Sequence, residues 1–192
     1  MKLIFATNNQ HKVEEMQAAI GNSFQLITLH EAGIDIDIPE PHDTLEANAT
    51  EKSQTIYRLT GIDCFSEDTG LETEALNGEP GVKSARYAGD EKAPEKNMEK
   101  LLQKLQSQSN RRARFRTVIS LILGGHEFLF EGICEGTIET APRGSGGFGY
   151  DPVFTPTGAS QTFGEMSLQQ KSRYSHRRQA ADKLVSFLQS PG

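Results

Sequence analysis

A chain of 192 residues fits one large domain, or one domain with two lobes, and is long enough to bury a real core. Its 35% hydrophobic and 24% charged residues are ordinary for a globular protein. A formal net charge of -6 excludes a general electrostatic attraction to nucleic acid, while local lysines and arginines can still hold a small anion.

The opening MKLIFATNNQ turns polar at Thr7. That apolar run is too short for a signal peptide or a membrane span, so the expectation is a cytoplasmic protein. Residues 3–6 read as a short buried strand. Thr7-Asn8-Asn9 break it and offer an N-cap. Val13, Met16 and Ile20 then recur at helical spacing, and Gly21 stops the helix. A second strand covers residues 24–29. Residues 34–41 look irregular and acidic.

Asp43-Thr-Leu-Glu46 has capping-box spacing with Asp43 as the cap. The helix it opens runs to about Leu59, and Gly61 ends it. Residues 62–66 form a strand that stops at the polar run Glu67-Asp68-Thr69-Gly70. Asn77-Gly78 and Pro80-Gly81 mark turns. Met98, Leu101, Leu102 and Leu105 make an i, i+3, i+4, i+7 stripe. Residues 115–123 and 127–133 flank Gly124-Gly125 as a β-hairpin, with residues 137–140 extending the sheet. A glycine-rich loop covers residues 144–149. A last helix starts with Ser175 as N-cap and turns Ala180, Ala181, Leu184, Val185 and Leu188 inward. No repeat or linker divides the chain, so residues 1–192 read as one mixed α/β domain, with the hairpin region as a possible second lobe. Cys64 and Cys134 lie in apolar stretches, which suits a reduced protein better than a disulfide scaffold.

Polar loops follow two strands, at Thr7 and at Glu67, and open α/β sheets bind ligands off the carboxyl ends of strands. The first loop leads into a helix N-terminus whose free N–H groups suit phosphate, with Lys12 adding a full charge. By itself, this segment also fits an ordinary strand–helix turn. The second loop sets two adjacent carboxylates at a strand end. Magnesium takes one or two carboxylates plus substrate phosphates, and a carboxylate beside it can orient or deprotonate water. A solvated acidic turn is the plain alternative. Glu46 is committed to a cap, so Glu40 is the better additional metal candidate. Lys52 follows on the same helix.

In Gly144-Ser-Gly-Gly-Phe-Gly-Tyr-Asp151, the glycines permit close approach of a ligand, and Phe148 and Tyr150 offer aromatic faces to a purine. Tyr150 is the one expected to tuck into the core. Lys171 and Ser175-His176-Arg177-Arg178 form a basic cluster. Positive charge at a helix N-terminus opposes the helix dipole, which favours a functional reason for it.

Together these clusters resemble the inosine triphosphate pyrophosphatase family. The matching segments are Thr7-Asn-Asn-Gln-His-Lys12, Ser66-Glu-Asp-Thr-Gly-Leu71, Pro80-Gly-Val-Lys-Ser-Ala-Arg-Tyr-Ala-Gly89, Gly146-Gly-Phe-Gly-Tyr-Asp-Pro152, and Lys171 with Ser175-His-Arg177. They occur in family order along nearly the whole chain. The resemblance implies a two-lobed mixed β-sheet flanked by helices, an active site in the cleft between lobes, and a homodimer. It implies a magnesium-dependent hydrolysis of non-standard purine nucleoside triphosphates (ITP, dITP, XTP) to the monophosphate and pyrophosphate. Asp68 matches the general base and metal ligand, with Glu40 and Glu67 as further metal-supporting acids. Thr7, Asn8, Asn9, Gln10, His11 and Lys12 match the phosphate loop. Thr69, Lys52 and Lys171 match substrate contacts. Phe148 matches the base-stacking residue, beside Gly149 and Tyr150. Asp151, His176 and Arg177 match the base-reading edge, where His176 and Arg177 can donate to a purine O6. Asn8 stands where many relatives have Gly, and Glu67 where many bacterial relatives have Asp. Two other readings remain at this point: a pyrophosphatase for modified pyrimidine or methylated nucleotides, and a catalytically silent nucleotide-binding regulator.

Overall fold

The computed structural model describes residues 1–190. In chain order the elements are β1 (Lys2–Phe5), α1 (Gln10–Ile20), β2 (Gln25–Thr28), α2 (Leu45–Thr60), β3 (Cys64–Thr73), β4 (Pro80–Gly81), α3 (Pro94–Lys104), β5 (Arg112–Leu123), β6 (His126–Ile138), β7 (Phe154–Pro156), α4 (Leu168–Ser172) and α5 (His176–Gln189). The strands follow the order β2-β1-β3-β5-β6-β7, with β4 beside β3. The residues group into two units. Unit 1 holds Met1–Asp68, Thr117–Gly132 and the segment from Arg177 onward. Unit 2 holds Thr69–Arg116 and Ile133–His176.

In unit 1, β1 lies parallel to both β2 and β3, with Leu3 opposite Leu26 and Ile4 opposite Cys64. A strand covered on both faces reads as a continuous apolar run. Leu3 and Phe5 join Met16, Phe65 and Leu184 on one side, and Ile4 and Ala6 join Leu29, Ile56 and Cys64 on the other. The Asn9 side chain accepts the Lys12 N–H, and Gly21 ends α1 at φ 55°, as the sequence predicts. Thr44, not Asp43, caps α2 by accepting the Ala47 N–H. The cap therefore falls one residue later than the expected box on Asp43 and Glu46. Gly61 closes α2 in the left-handed region at φ 66°.

β3 departs most from expectation. It does not stop before Glu67 but runs on through Glu67, Asp68 and Thr69 to Thr73. Strand propensity bends to tertiary partners, and here buried cations satisfy the acids. The hairpin is as expected: Gly124 at φ 57° and Gly125 at φ 81° supply the two positive angles of a type I′ turn. Its strands are longer than expected, and its tip belongs to unit 1.

Unit 2 has its own core of Leu71, Leu101, Leu105, Phe115, Phe154 and Phe163, among others. The α3 stripe supplies Leu101 and Leu105 fully buried, with Met98 and Leu102 packed alongside. Pro80-Gly81 is not only a turn; it pairs antiparallel with β3. Gly70 makes that possible, since a Cβ there would lie 2.6 Å from the Gly81 carbonyl oxygen.

Candidate active site

Successive side chains on a strand point to opposite faces. This alternation sends Glu67 and Asp68 into different company, both within unit 1. The Glu67 carboxylate is 1% exposed and lies among cations. Arg177 donates from Nε to Oε2 at 2.7 Å and from Nη2 to Oε1 at 2.9 Å. Lys12 Nζ lies 3.1 Å from Oε1. Arg177 Nη1 donates in turn to Glu15. Burial pushes the Glu67 carboxyl up, but Arg177 and Lys12 outweigh it and hold its pKa down at about 2. Both oxygens are therefore engaged by cations. A cation that touched Glu67 directly would have to displace this bidentate guanidinium.

Asp68 faces α2 and the segment that precedes it. Lys52 Nζ lies 3.4 Å from Asp68 Oδ1 and donates to Glu40 Oε1 at 2.6 Å. Asn48 Nδ2 donates to Asp68 Oδ2 at 3.3 Å. Burial raises the Asp68 carboxyl above its ordinary value, opposed by Lys52 and Lys12 and aided by the Glu40 charge. Burial disfavours the Lys52 ammonium, yet Asp68 and Glu40 outweigh it and raise its pKa. Residues 34–40 alternate between partly buried and exposed, so Ile34, Ile36, Ile38 and Glu40 share one face. The isoleucines pack on the unit 1 core, and Glu40 is carried to Lys52 on the same side.

The first loop is built by its own polar side chains. Asn9 N–H donates to Thr7 Oγ1, and Asn8 Nδ2 donates to the Ile36 carbonyl at 2.9 Å. Gln10 and His11 are exposed on the first turn, beside Glu14.

Unit 2 holds a second group. Asp151 Oδ2 accepts the Phe148 N–H at 2.9 Å and the Lys171 ammonium at 2.6 Å. Lys171 Nζ also lies 5.0 Å from the Phe148 ring centre, and Phe148 is half-buried. A Cβ at Gly147, which sits at φ 69°, would fall 2.0 Å from Asp151 Oδ2, so only glycine lets the loop wind onto that carboxylate. Tyr150 is in the core with its hydroxyl donating to the Ser84 carbonyl, which removes its ring from the surfaces open to a base. Gly149 is half-buried at φ 62°. The His176 ring stacks on Phe115 at 4.7 Å. Thr69 is the first residue of unit 2, partly buried on β3.

The expected residues are thus brought together as two groups, one in each unit. Lys12, Glu40, Lys52, Glu67, Asp68 and Arg177 converge in unit 1, while Phe148, Asp151 and Lys171 converge in unit 2. Arg177, expected at a base-reading edge, has its guanidinium engaged by Glu67 and Glu15. Asn48 and Glu15 were not legible as site residues. The signal for Asn48 was its place among Leu45, Ala49, Lys52 and Ile56 on the buried face of α2, where a carboxamide needs partners. Among the described residues no three His, Cys, Asp or Glu side chains form a metal-holding group by themselves.

The fold is that of solved Ham1 proteins. The Staphylococcus aureus Ham1 protein superposes with a TM-score of 0.88 at 39% identity, covering 98% of each chain. A HAM1 protein from Coxiella burnetii superposes with a TM-score of 0.89 at 34% identity and the same coverage. The chain belongs to the Ham1 family, whose model matches residues 3–187. Among its relatives, proteins named dITP/XTP pyrophosphatase are 45% identical over 188 residues in Flavobacterium johnsoniae, covering 98% of each chain, and 48% identical over 188 residues in Porphyromonas gingivalis, covering 97% of each.

Proposed function

We propose that this chain hydrolyses non-standard purine nucleoside triphosphates, dITP, XTP and ITP, to the monophosphate and pyrophosphate. The carrying observation is Asp68: a carboxylate held in burial between Lys52 and Asn48, with Glu40 on the same lysine. Full-length similarity to proteins named dITP/XTP pyrophosphatase supports the choice of substrate. We read residues 1–192 as one pyrophosphatase domain to which both units contribute.

The donor set suits magnesium. Glu40 and Asp68 are hard oxygen donors drawn to a single ammonium, and magnesium is held by one or two carboxylates plus phosphate oxygens. When bound, it would neutralise charge on the phosphates and lower the pKa of water. Asp68 takes the proton as the water oxygen bonds to the α-phosphorus, and the bond from that phosphorus to the bridging oxygen breaks with its electron pair leaving on pyrophosphate. Lys12, Lys52 and the N–H groups at the start of α1, residues 7–12, receive phosphate charge, with Thr69 as a further contact. Phe148 stacks on the base, Gly149 and Lys171 adjoin it, and Asp151, His176 and Arg177 form the base edge. A homodimer and a cytoplasmic location belong to the same reading. Among the described residues no helix is long and apolar enough to cross a membrane.

The reaction is tested with dITP and magnesium in 18O-labelled water. The expected products are dIMP carrying the label and unlabelled pyrophosphate. Release of dIDP and phosphate would overturn the mechanism; turnover of dUTP or a methylated triphosphate in preference to dITP would overturn the substrate class. Phe148→Ala is expected to raise KM for dITP by roughly 5- to 150-fold with little change in kcat, matching the ~1–3 kcal/mol of a stacked base. An unchanged KM removes Phe148 from the base site.

A further inference from the structure

Asn48 is 1% exposed on α2, and its carboxamide is fully committed. Its Oδ1 accepts the His42 N–H at 2.9 Å, and its Nδ2 donates to the His42 carbonyl at 3.1 Å. The other Nδ2 hydrogen goes to Asp68 Oδ2 at 3.3 Å. The donor and acceptor pattern allows one orientation only, since a flipped amide would set its oxygen against a carbonyl and a carboxylate. One side chain thus grips both polar groups of a single residue upstream of the helix and reaches an acid twenty residues downstream. A cap or a helix-stabilising contact would require neither.

The gripped residue lies two positions after Glu40, in the sequence Pro39-Glu40-Pro41-His42. Each proline fixes its own φ near -65° and restricts the residue before it, so the short arm from His42 back to Glu40 is stiff. Fixing the His42 peptide therefore fixes where Glu40 can reach. The far end of the same segment is tied separately, by Asn8 to the Ile36 carbonyl.

We propose that Asn48 is a positioning residue that sets the spacing between Glu40 and Asp68, the two acids assigned above to the divalent cation. This rests on that reading of the acid pair. Partners of ligating carboxylates change metal affinity or activity by about 10- to 100-fold when removed. Asn48 acts on both ligands at once, one through a hydrogen bond and the other through the proline-stiffened arm.

The test is Asn48→Ala in the full chain, with Asn48→Gln as the second variant, since it keeps a hydrogen-bonding amide but displaces it by one methylene. Mn2+ binding to the free enzyme is titrated by electron paramagnetic resonance, dITP turnover is measured in magnesium, and amide exchange is followed over residues 38–44. The proposal expects Mn2+ affinity and kcat each to fall roughly 10- to 100-fold. It also expects KM for dITP to hold within about threefold and exchange at His42 to accelerate, since the lost interaction does not serve ground-state substrate binding. Wild-type Mn2+ affinity and kcat in a folded variant would overturn it, whatever the change in thermal stability. If the unaltered chain does not hydrolyse dITP but the variants still lose Mn2+, the functional reading fails and the positioning role stands. If it hydrolyses dITP and the variants bind Mn2+ normally, the positioning role fails alone.

Discussion

Asp68→Asn is expected to lower kcat for dITP by roughly 10²- to 10⁴-fold, the range that a positioned general base contributes. The substitution keeps the shape of the side chain and its contact distance to Lys52 and Asn48. It removes the basicity and the negative charge. Thermal stability is expected to change little, because one amide oxygen cannot accept from both Lys52 and Asn48 as the two carboxylate oxygens do, and that loss offsets the relief of a buried charge. A carboxyl whose pKa is raised by burial favours the neutral form in the folded state, so its ionised form costs stability at neutral pH, and an amide relieves that cost. The pair of outcomes, activity lost and stability kept, separates a catalytic role from a structural one. Near-normal turnover by a folded Asp68→Asn would remove Asp68 as the base.

Arg177→Ala has the largest expected effect on stability. Arg177 is buried and bonded to Glu67 and Glu15, so its removal leaves the buried Glu67 with Lys12 in place of a bidentate guanidinium and takes a cation from Glu15. Breaking a buried pair by deleting one partner costs about 3–5 kcal/mol, most of it the penalty of the unpaired charge. Chemical denaturation at neutral pH reads this directly. The pH dependence supplies an internal check. Glu67 has its folded pKa lowered from 4.5 to about 2, so its stabilising contribution is complete above 4.5 and fades as the pH falls toward 2. The gap between the two proteins is expected to close over that same window. A constant gap would mean that lost packing, not the ion pair, dominates. Parallel KM values for ITP and ATP test the separate proposal that Arg177 reads the base; a selectivity identical to that of the unaltered chain would sink it.

Much of the fold was legible because its signals are local. Residues 3–6 sit under cover on both faces, and their unbroken apolar run says so. Asn9, Gly21, Gly61 and Gly124-Gly125 act through the backbone of their immediate neighbours. What was not legible depends on partners distant in the chain. Nothing near Glu67 announces a strand, because the guanidinium that satisfies it lies 110 positions away. The same distance hid the engagement of Arg177. Thr44 displaced Asp43 as a cap by a difference of one residue between two good caps. The Glu40 assignment had a better signal than the one used: Ile34-Asp-Ile-Asp-Ile-Pro-Glu40 has period two, which puts Glu40 on the isoleucine face. Asn48 could be read as buried from its helical spacing, but the identity of its partner peptide could not.

The run of β3 through Glu67 and Asp68 carries a consequence for how this chain can vary in length. A shift of one residue in a strand turns every side chain to the opposite face. A single-residue deletion between Phe65 and Glu67 would bring Asp68 to Arg177 and Lys12, and a single-residue insertion there would bring Glu67 to Lys52 and Asn48. Changes of length in even steps preserve the facing of each acid, whereas odd steps reverse it. Indel tolerance at this strand is therefore a matter of parity as much as of size.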